Sequence, residues 1–408
     1  MSSLIFENSC LERSHKNFGY NLFMLRSHKI QLIPNQKAVE YFRQACGCAR
    51  LAWNVALAKW KEGYQNGDRP SGSGLKVWFN SIKREQYPFV YAVTKCATER
   101  PFTNLQNAFN RFFSKQGGHP KFKSRHRSRD SFYVSNDKFS VSGKYIRIPR
   151  LGVVRMTEKL RYQGKIFGAT ISRTADRWFV SIQVEVESPI GSDALRKPSV
   201  GIDLGIKSFA VLSDGTSIDN PRIFKRFEAK LRRLNKSLSR KVKGSSNWKK
   251  TKAKLARLHY RIACCRLDFV HKFTHFIAQN YSTVCLEDLN VAGMLRNHKL
   301  AKHIQDISLF EVRRQLEYKC NEVHFVSRFD ATSKTCSCCD WKNENLALED
   351  RVFECSSCGL VEDRDLNASK NILRWASPKV KPVDQKALAR NVKSRVKPSG
   401  MKQELGVG

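Results

Sequence analysis

The sequence predicts an α/β protein with added helical and β parts: a helical segment, a small β-barrel or sandwich, and an α/β region that contains a four-cysteine ribbon. Apolar side chains recur at steps of three and four from Val39 to Trp60, which is typical of one face of a helix. Apolar and polar residues alternate from Arg177 to Val186, which is typical of strands. Two Cys-x2-Cys pairs, at 336–339 and 355–358, have the spacing of a zinc ribbon.

The composition bounds the class of partner. The 408 residues include 74 Lys and Arg against 36 Asp and Glu, a formal net charge of +38, with 41% hydrophobic residues. That apolar content can form cores, which excludes a wholly disordered basic chain, and the charge favours nucleic acid as the partner. The sequence has no apolar run of about 18 residues, so we expect no membrane span. Because Met1–Lys16 also lacks a signal-peptide pattern, we expect a cytoplasmic protein without a membrane partner.

The elements follow in a clear order. A strand ends at Ile33, before the helix-start signal Pro34-Asn35, and the amphipathic helix is followed by a second helical region near 76–115. A basic loop covers 117–127, and short strands separated by turn residues then run to a linker at 188–198.

A new apolar strand opens at Ser199 and is followed by a hairpin partner at 209–212. Next comes a long basic helical stretch, 222–261, with 16 Lys or Arg and the single acid Glu228. Beyond residue 375 the Lys-, Pro- and Ser-rich sequence has no periodicity, so we expect a disordered basic tail.

Three acids stand in unusual contexts. Asp203 lies near the end of the apolar strand 199–205, Glu287 near the end of 283–289, and Asp365 at the start of a predicted helix. Each alone is explained by a water-exposed strand end or helix cap, since an ionised carboxylate inside an apolar strand is costly unless paired or metal-bound. Together they can converge on two Mg²⁺ or Mn²⁺ ions, which catalyse phosphodiester hydrolysis. We therefore predict all three as catalytic and as magnesium ligands.

The cysteines predict a structural zinc site. Cys336, Cys339, Cys355 and Cys358 would give a closed tetrahedral set with no open position for catalysis. Cys338 is left out by its spacing, although a register with Cys338 in place of Cys339 stays open. The other cysteines are scattered and the total of 13 is odd, which fits reduced thiols rather than disulfides.

Several motifs together resemble the TnpB (OrfB) family of insertion-sequence proteins. They occur in the family's order over about residues 20 to 375. The matching segments are Cys48–Asn54, Pro120–Ser124, Gly201–Gly205, Leu286–Leu289, Thr332–Cys336 with the ribbon, and Asp363–Ala368. Two positions depart from the family pattern: Asp340, where a glycine often stands, and Ser369, where an alanine is common.

The resemblance implies a RuvC-like nuclease domain of RNase H fold, split by the zinc ribbon, and an N-terminal β-barrel interrupted by a helical recognition domain. It implies a prokaryotic, nucleoid-associated protein that is an RNA-guided DNA endonuclease related to type V CRISPR effectors. Its partners would be a guide RNA from the element end, double-stranded target DNA recognised beside a short flanking motif, and a separate transposase encoded by the same element. Asp203, Glu287 and Asp365 match the family's catalytic acids, and the four cysteines its zinc ligands.

These patterns give expected boundaries and contacts. The domains are a leader with the first barrel strand (1–33), a helical recognition domain (34–130), the rest of the wedge-like barrel (131–198), the nuclease domain (199–330 and 362–375), the zinc ribbon (331–361) and the tail (376–408). The candidate phosphate contacts are Arg50, Lys121, Lys123, Arg125 and Arg127, for each of which solvation is an equally good explanation. A transposase that cuts element ends without RNA and a nuclease-silent guided DNA-binding regulator are the alternative functions.

Overall fold

The computed structural model describes residues 23–187, 197–298, 300–347 and 349–376. These residues form two compact units, one from residues up to 190 together with 229–263, the other from 191–228 together with the residues from 264 onward. The predicted leader, most of the linker and the predicted basic tail lie outside the described residues. Among the described helices, none combines the length and apolar character that crossing a bilayer requires.

The first unit contains a seven-stranded antiparallel sheet. Its strands are β1 (Phe23–Ile33), β2 (Ser131–Ser135), β3 (Ser140–Ser142), β4 (Tyr145–Ile148), β5 (Gly152–Met156), β6 (Lys165–Thr174) and β7 (Arg177–Glu187). Their order is β2-β6-β7-β1-β5-β4-β3, so β1 pairs with strands that follow it by more than 100 residues. The helical insertion within a sheet is therefore present as expected, whereas closure of the sheet into a barrel stays a prediction.

Three helices separate β1 from β2: α1 (Gln36–Gln65), α2 (Gly72–Gln86) and α3 (Cys96–Phe113). The side chain of Asn35 caps α1 by accepting a hydrogen bond from the backbone N–H of Ala38 at 2.9 Å. Trp60 of α1 stacks on Phe109 of α3 with ring centroids 4.2 Å apart, which joins the two helices in an aromatic core. The single helical region expected near 76–115 is thus two α-helices, with a short 3-10 helix at Pro88–Ala92 between them.

The basic stretch at 222–261 also differs from one continuous helix. It contains α4 (Ile223–Ser239) and the beginning of α5 (Ser246–Asn280). The chain turns between them at Gly244, whose φ of +90° is readily adopted only by glycine. Basic residues continue through the turn, so the charge pattern alone does not mark this helix end.

The second unit contains a five-stranded mixed sheet. Its strands are β8 (Ser199–Leu204), β9 (Ser208–Leu212), β10 (Ser217–Asp219), β11 (Thr283–Glu287) and β12 (Glu322–Val326), in the order β10-β9-β8-β11-β12. Strands β8, β11 and β12 are parallel, while β9 and β10 follow as antiparallel hairpins. The hairpin expected after the first apolar strand is confirmed.

Short helices and a small ribbon complete the second unit. They are α6 (Val291–Met294), α7 (Ala301–Ile307), α8 (Leu309–Lys319), the hairpin of β13 (Val352–Glu354) with β14 (Val361–Asp363), and α9 (Arg364–Ala376). Val200, Ile202, Val284 and Leu286 are buried on the sheet face that packs against α5, α7 and α8. The opposite face of β11 and β12 packs against α9 through Ile372.

Candidate active site and metal centre

Two of the three predicted acids are neighbours on the central strands. Leu286 of β11 pairs with Ile202 of β8 in parallel register. The next residues along the two strands, Glu287 and Asp203, are therefore neighbours. Because side chains alternate between faces, both acids point away from the buried Ile202 and Leu286, toward the face covered by α9. The strand pattern therefore places two carboxylates at the carboxyl end of adjacent parallel strands.

Helix α9 brings the third acid to the same face. It crosses β8 so closely that a Cβ atom added at Gly201 would lie 2.1 Å from the carbonyl oxygen of Ser369 and 2.6 Å from the backbone nitrogen of Leu373. Only glycine permits this approach. Asp365 is in the first turn of α9, so the contact at Gly201 places the Asp365 carboxylate near Asp203.

The beginning of α9 is fixed by a side-chain cap. Asp363 accepts hydrogen bonds from the backbone N–H groups of Asp365 at 2.9 Å and Leu366 at 3.1 Å. The cap and the positive end of the helix dipole both favour negative charge here. Arg364, which is largely buried, donates to the carbonyl oxygen of Ala347 at 2.8 Å and ties the same turn to the ribbon.

The acids influence one another electrostatically. Withdrawal from water, followed by the negative charges of Glu287 and Asp365, raises the pKa of Asp203 to about 8, while Arg364 acts in the opposite direction. A site that holds a proton among carboxylates near neutral pH is one that a divalent cation can occupy by displacing that proton. The chemistry of this oxygen donor set fits Mg²⁺ or Mn²⁺.

The two acids at the end of β11 have different surroundings. Glu287 Oε1 accepts a hydrogen bond from Thr332 Oγ1 at 2.5 Å. Asp288 pairs with Arg328 and, at 2.8 Å, with Arg313, and their hydrogen bonds lower its pKa. Asp288 is thereby committed to ion pairs that hold the strand end, which leaves Glu287 as the acid aligned with Asp203.

The four predicted cysteine ligands converge. The sulfurs of Cys336, Cys339, Cys355 and Cys358 all lie within 4.8 Å of one another, and across the described ranges this is the one such group of potential metal ligands. The exposed Cys338 is outside the group, so the alternative register is wrong. Asp203, Glu287 and Asp365 do not form a second group of this kind among the described residues, so their carboxylate oxygens are spaced more widely than the four sulfurs.

The cysteine cluster has the hydrogen bonds and turns that favour a bound metal. Burial opposes ionisation of Cys355, but the backbone N–H groups of Cys358 and Ser357 lower its pKa to about 7. The backbone N–H of Leu360 favours the Cys358 thiolate, but burial and the neighbouring thiols raise the pKa of Cys358 to about 12. Without a cation the thiols therefore cannot all ionise together near neutral pH, whereas a bound metal ion favours the thiolate form of each. Gly359 follows the second pair with a φ of +74°, and Asp340 follows the first with a φ of +64°. The donor set and both tight turns fit zinc.

Two buried asparagines of α9 connect the cysteine cluster to the active site. Asn367 accepts from the backbone N–H of Ser337 at 2.8 Å and donates to the carbonyl oxygen of Thr335 at 2.7 Å. Asn371 donates to the carbonyl oxygen of Thr332 at 2.9 Å. Sequence reasoning missed both asparagines and the contact of Thr332 with Glu287, although all three residues lie in or beside the motifs that it used.

The predicted phosphate contacts have different environments. Arg50 forms an ion pair with Asp130 at 2.6 Å and is mostly buried, so its charge is already compensated within the protein. The loop that carries the others is fixed to α1, because Trp53 Nε1 donates to the carbonyl oxygen of Lys121 at 3.0 Å and the Lys123 ammonium lies 3.8 Å from the centre of the same ring. Lys121, Arg125 and Arg127 are exposed.

This loop belongs to a larger surface of the first unit that sequence reasoning did not single out. Residues 100–129 contain eight Lys or Arg and no Asp or Glu. Beside them is a cavity of about 340 Å³, and the residues that line it include Trp60, Tyr64, Phe109, Phe113 and His119. Aromatic faces next to positive charge are the combination that binds unpaired nucleotides.

Comparison with protein families gives three matches. Residues 181–298 match the family described as "Probable transposase" (OrfB_IS605), and residues 310–372 match a domain described as "Cas12f1-like, TNB domain". Residues 24–69 match a "Helix-turn-helix domain", and in the structure they form β1 and the single helix α1.

Individual relatives cover nearly the whole chain. A "Putative RNA-guided DNA endonuclease" of Streptomyces pristinaespiralis is 34% identical over 361 residues, which are 85% of this chain and 88% of that protein. A protein of the same description, InsQ of Escherichia coli K12, is 31% identical over 86% of this chain and 92% of its own length. The protein in a cryo-EM structure of a Cas12f1-sgRNA-target DNA complex has the same fold, with a TM-score of 0.55 at 17% identity over 86% of this chain and 84% of that one.

Proposed function

The chain belongs to the TnpB (OrfB) family, and on that premise we propose that it is a transposon-associated RNA-guided DNA endonuclease. It uses a guide RNA from the element end to bind target DNA next to a short flanking motif and then cleaves that DNA. The relatives described as RNA-guided DNA endonucleases, which align with 85% and 86% of the chain, support the guided mode of action.

The observation that carries the nuclease assignment is the convergence of Asp203, Glu287 and Asp365 on one face of the parallel strands. Strand register aligns the first two, and the close crossing of α9 over Gly201 brings the third. Withdrawal from water and, after it, the negative charges of Glu287 and Asp365 raise the pKa of Asp203, as expected for acids held close together. Such an acid cluster is unfavourable for stability in a metal-free protein, which supports a role in cation binding.

The residues have distinct tasks in this proposal. Asp203, Glu287 and Asp365 would hold two Mg²⁺ or Mn²⁺ ions, which supply an activated water and stabilise the leaving 3′ oxygen of a phosphodiester. Thr332 fixes the Glu287 carboxylate by its hydrogen bond, and Asp363 fixes the helix turn that presents Asp365. The protein thus orients all three acids through its own contacts.

We assign the architecture accordingly. The five-stranded sheet with α9 is the RuvC-like nuclease domain of RNase H fold, and the four cysteines hold one structural zinc ion in the ribbon inserted before α9. In the first unit, the helices form the recognition domain, and the antiparallel sheet forms the wedge-like barrel. We keep the boundaries expected from the sequence as part of the proposal, with the difference that residues 229–263 of the proposed nuclease segment group with the first compact unit.

The basic surfaces bind the nucleic acids in this proposal. Lys121, Lys123, Arg125 and Arg127 lie in the acid-free stretch, where phosphate oxygens of RNA or DNA can replace solvent. Arg50 is the weakest of the five candidates, since its guanidinium pairs with Asp130. In guided effectors the protein holds the heteroduplex by shape and backbone contacts while base pairing reads the sequence.

The assignment is tested with the acid cluster. The Asp203→Asn variant should lose cleavage by more than about 100-fold, because removing one ligand charge disrupts the metal site, while RNA-dependent DNA binding remains. Asp268→Asn is the matched control, since Asp268 is exposed on α5, where it pairs with Lys272. Cleavage retained by Asp203→Asn would exclude this site as the nuclease centre.

A transposase that joins element ends is the second candidate, because the family match at 181–298 carries that description. Strand transfer also uses two metal ions, so the acid cluster is compatible with it. A transposase cuts end-containing DNA after ribonuclease treatment. The guided nuclease loses its activity under that treatment and co-purifies with a defined RNA.

A further inference from the structure

The loop between β12 and the cysteine cluster presents an aromatic ring to solvent. Phe329 is 90% exposed, the highest value among the large hydrophobic side chains of the described residues. Single exposed apolar residues are common and by themselves indicate nothing. The position and fixation of Phe329 distinguish it from an ordinary surface phenylalanine.

Contacts on both sides of Phe329 fix the loop beside the active site. Arg328, the preceding residue, pairs with Asp288 at the end of β11. Thr332, three residues later, is buried and donates to the carboxylate of Glu287 at 2.5 Å. The ring is therefore carried on a segment whose two ends both touch the Glu287-Asp288 pair.

The backbone around Phe329 is ordered by local hydrogen bonds. The N–H of Phe329 donates to Ser327 Oγ at 3.3 Å, and the N–H of Asp330 donates to the carbonyl oxygen of Ser327 at 3.1 Å. A further bond, from the N–H of Thr332 to the carbonyl oxygen of Asp330 at 2.9 Å, closes the next turn. A hydrogen-bonded turn thus keeps the Phe329 side chain exposed to solvent.

We propose that Phe329 binds an unpaired nucleobase of the DNA strand at the acid site, by stacking, and so positions the phosphodiester that is cut. This inference rests on the proposed function. When a phosphate of the DNA strand lies at Asp203 and Glu287, the neighbouring bases are directed away from these acids. Such bases can stack on a flat apolar ring. Stacking on phenylalanine is tolerant of sequence because every base has a π face, which suits an enzyme whose sequence is read by a guide.

The first experiment compares cleavage rates of the guide RNA complex. Phe329→Ala should lower guided cleavage by about 5- to 150-fold, the range expected for loss of one base–aromatic stack, and Phe329→Trp should stay within about threefold of wild type. Thermal unfolding of both variants should match wild type, because the ring is exposed. Phe276→Ala is the control, since Phe276 is 41% exposed on the last turns of α5, at the opposite end of β11 from Glu287.

A second experiment removes the stacked base from the DNA and leaves the Phe329 ring in the protein. An abasic nucleotide is introduced in turn at each position flanking the mapped cut. At the stacked position it should slow the wild-type protein by the same factor as Phe329→Ala, and it should not slow Phe329→Ala further. Equal sensitivity of both proteins at every position, or a wild-type rate for Phe329→Ala, would overturn the inference.

A binding measurement separates this inference from the proposed function. Single-stranded DNA containing 2-aminopurine should bind the RNA complex of Asp203→Asn with quenched fluorescence, because stacking requires no cleavage. Adding Phe329→Ala to that variant should restore the fluorescence. An unquenched probe with Asp203→Asn contradicts stacking even where cleavage is intact, whereas quenching in a protein that never cuts DNA contradicts only the nuclease assignment.

Discussion

At the scale of single residues, the active site depends on a few contacts between residues far apart in sequence. Asp203, Glu287 and Asp365 are predictable because each stands in a motif matched to the family. Thr332, Asn367 and Asn371 are not, because their hydrogen bonds reach partners about 30 to 45 residues away and leave no local period. The amino-acid pattern therefore indicates which acids are the candidate catalytic groups, while the structure shows the contacts that hold them.

Gly201 offers the most local test of the site. Gly201→Ala should lower the free energy of unfolding by about 1–3 kcal/mol and reduce cleavage, because its Cβ would overlap the backbone of α9 at Ser369 and push Asp365 away. Urea unfolding and cleavage assays measure the two effects. Gly47→Ala in α1 is the control, since a Cβ there meets nothing within 4 Å. A fully stable, active Gly201→Ala protein would contradict the close crossing.

The raised pKa of Asp203 predicts a pH dependence without added divalent cations. The unfolded chain releases this proton near its ordinary value of 3.8, whereas the folded protein keeps it until about 8. Stability should therefore fall as the pH rises toward 8, by up to about 1.4 kcal/mol per pH unit. Thermal unfolding of wild type against Asp203→Asn isolates this slope, which the variant lacks.

Addition of Mg²⁺ provides the complementary measurement. The ion should stabilise the wild-type protein more at about pH 8 than at about pH 6, because it competes with the Asp203 proton. Mg²⁺ should increase the stability of the Asp203→Asn variant only slightly at either pH. The same pH slope in both proteins would show that Asp203 does not titrate in this range.

At the scale of elements, regular patterns gave reliable predictions and interruptions did not. The periodicity from Val39 to Trp60 lies within α1, and the alternation at 177–186 lies within β7. The break between α4 and α5 was missed, because Lys and Arg continue through it and only Gly244 marks the turn. The parallel pairing of β8 with β11 joins residues about 80 apart, a distance at which one sequence shows no pairing signal.

The cysteine cluster and α9 form one connected element, which gives a further prediction. Cys355→Ser should lower cleavage as well as stability, because loss of the bound metal loosens the segment that Asn367 and Asn371 join to the helix carrying Asp365. Thermal unfolding, metal content and cleavage are measured together. Cys338→Ser should change none of them, since Cys338 is outside the cluster. Full cleavage by a metal-free Cys355→Ser protein would contradict the coupling.

At the scale of the whole molecule, the charge of +38 is distributed unevenly along the chain. Residues 100–129 and 222–261 hold 24 of the 74 Lys and Arg and a single acid. By contrast, the three proposed catalytic acids lie at the carboxyl ends of two strands and in the first turn of one helix. The charge pattern thus predicted a nucleic-acid partner, but not the aromatic cavity beside it, whose lining residues come from separate helices and a loop.

Affinity for nucleic acid should depend steeply on salt, because each neutralised phosphate releases a counterion. Replacing both Arg125 and Arg127 by Gln should reduce the slope of log affinity against log salt by about 2. Lys272→Gln should leave it unchanged, since Lys272 pairs with Asp268 at 2.8 Å. Fluorescence anisotropy over a salt series measures the slope, and an unaltered slope in the double variant would exclude this loop from phosphate binding.

The central claim is that a guide RNA directs the acid site to its DNA target. The most direct measurement replaces the guide segment of the co-purified RNA with a new sequence and maps Mg²⁺-dependent cuts on a plasmid that carries both old and new targets. The cuts should move to the new target, beside the same flanking motif, and should be absent with Asp203→Asn. Cuts that stay at the old position, or that persist without RNA, would contradict a guided nuclease.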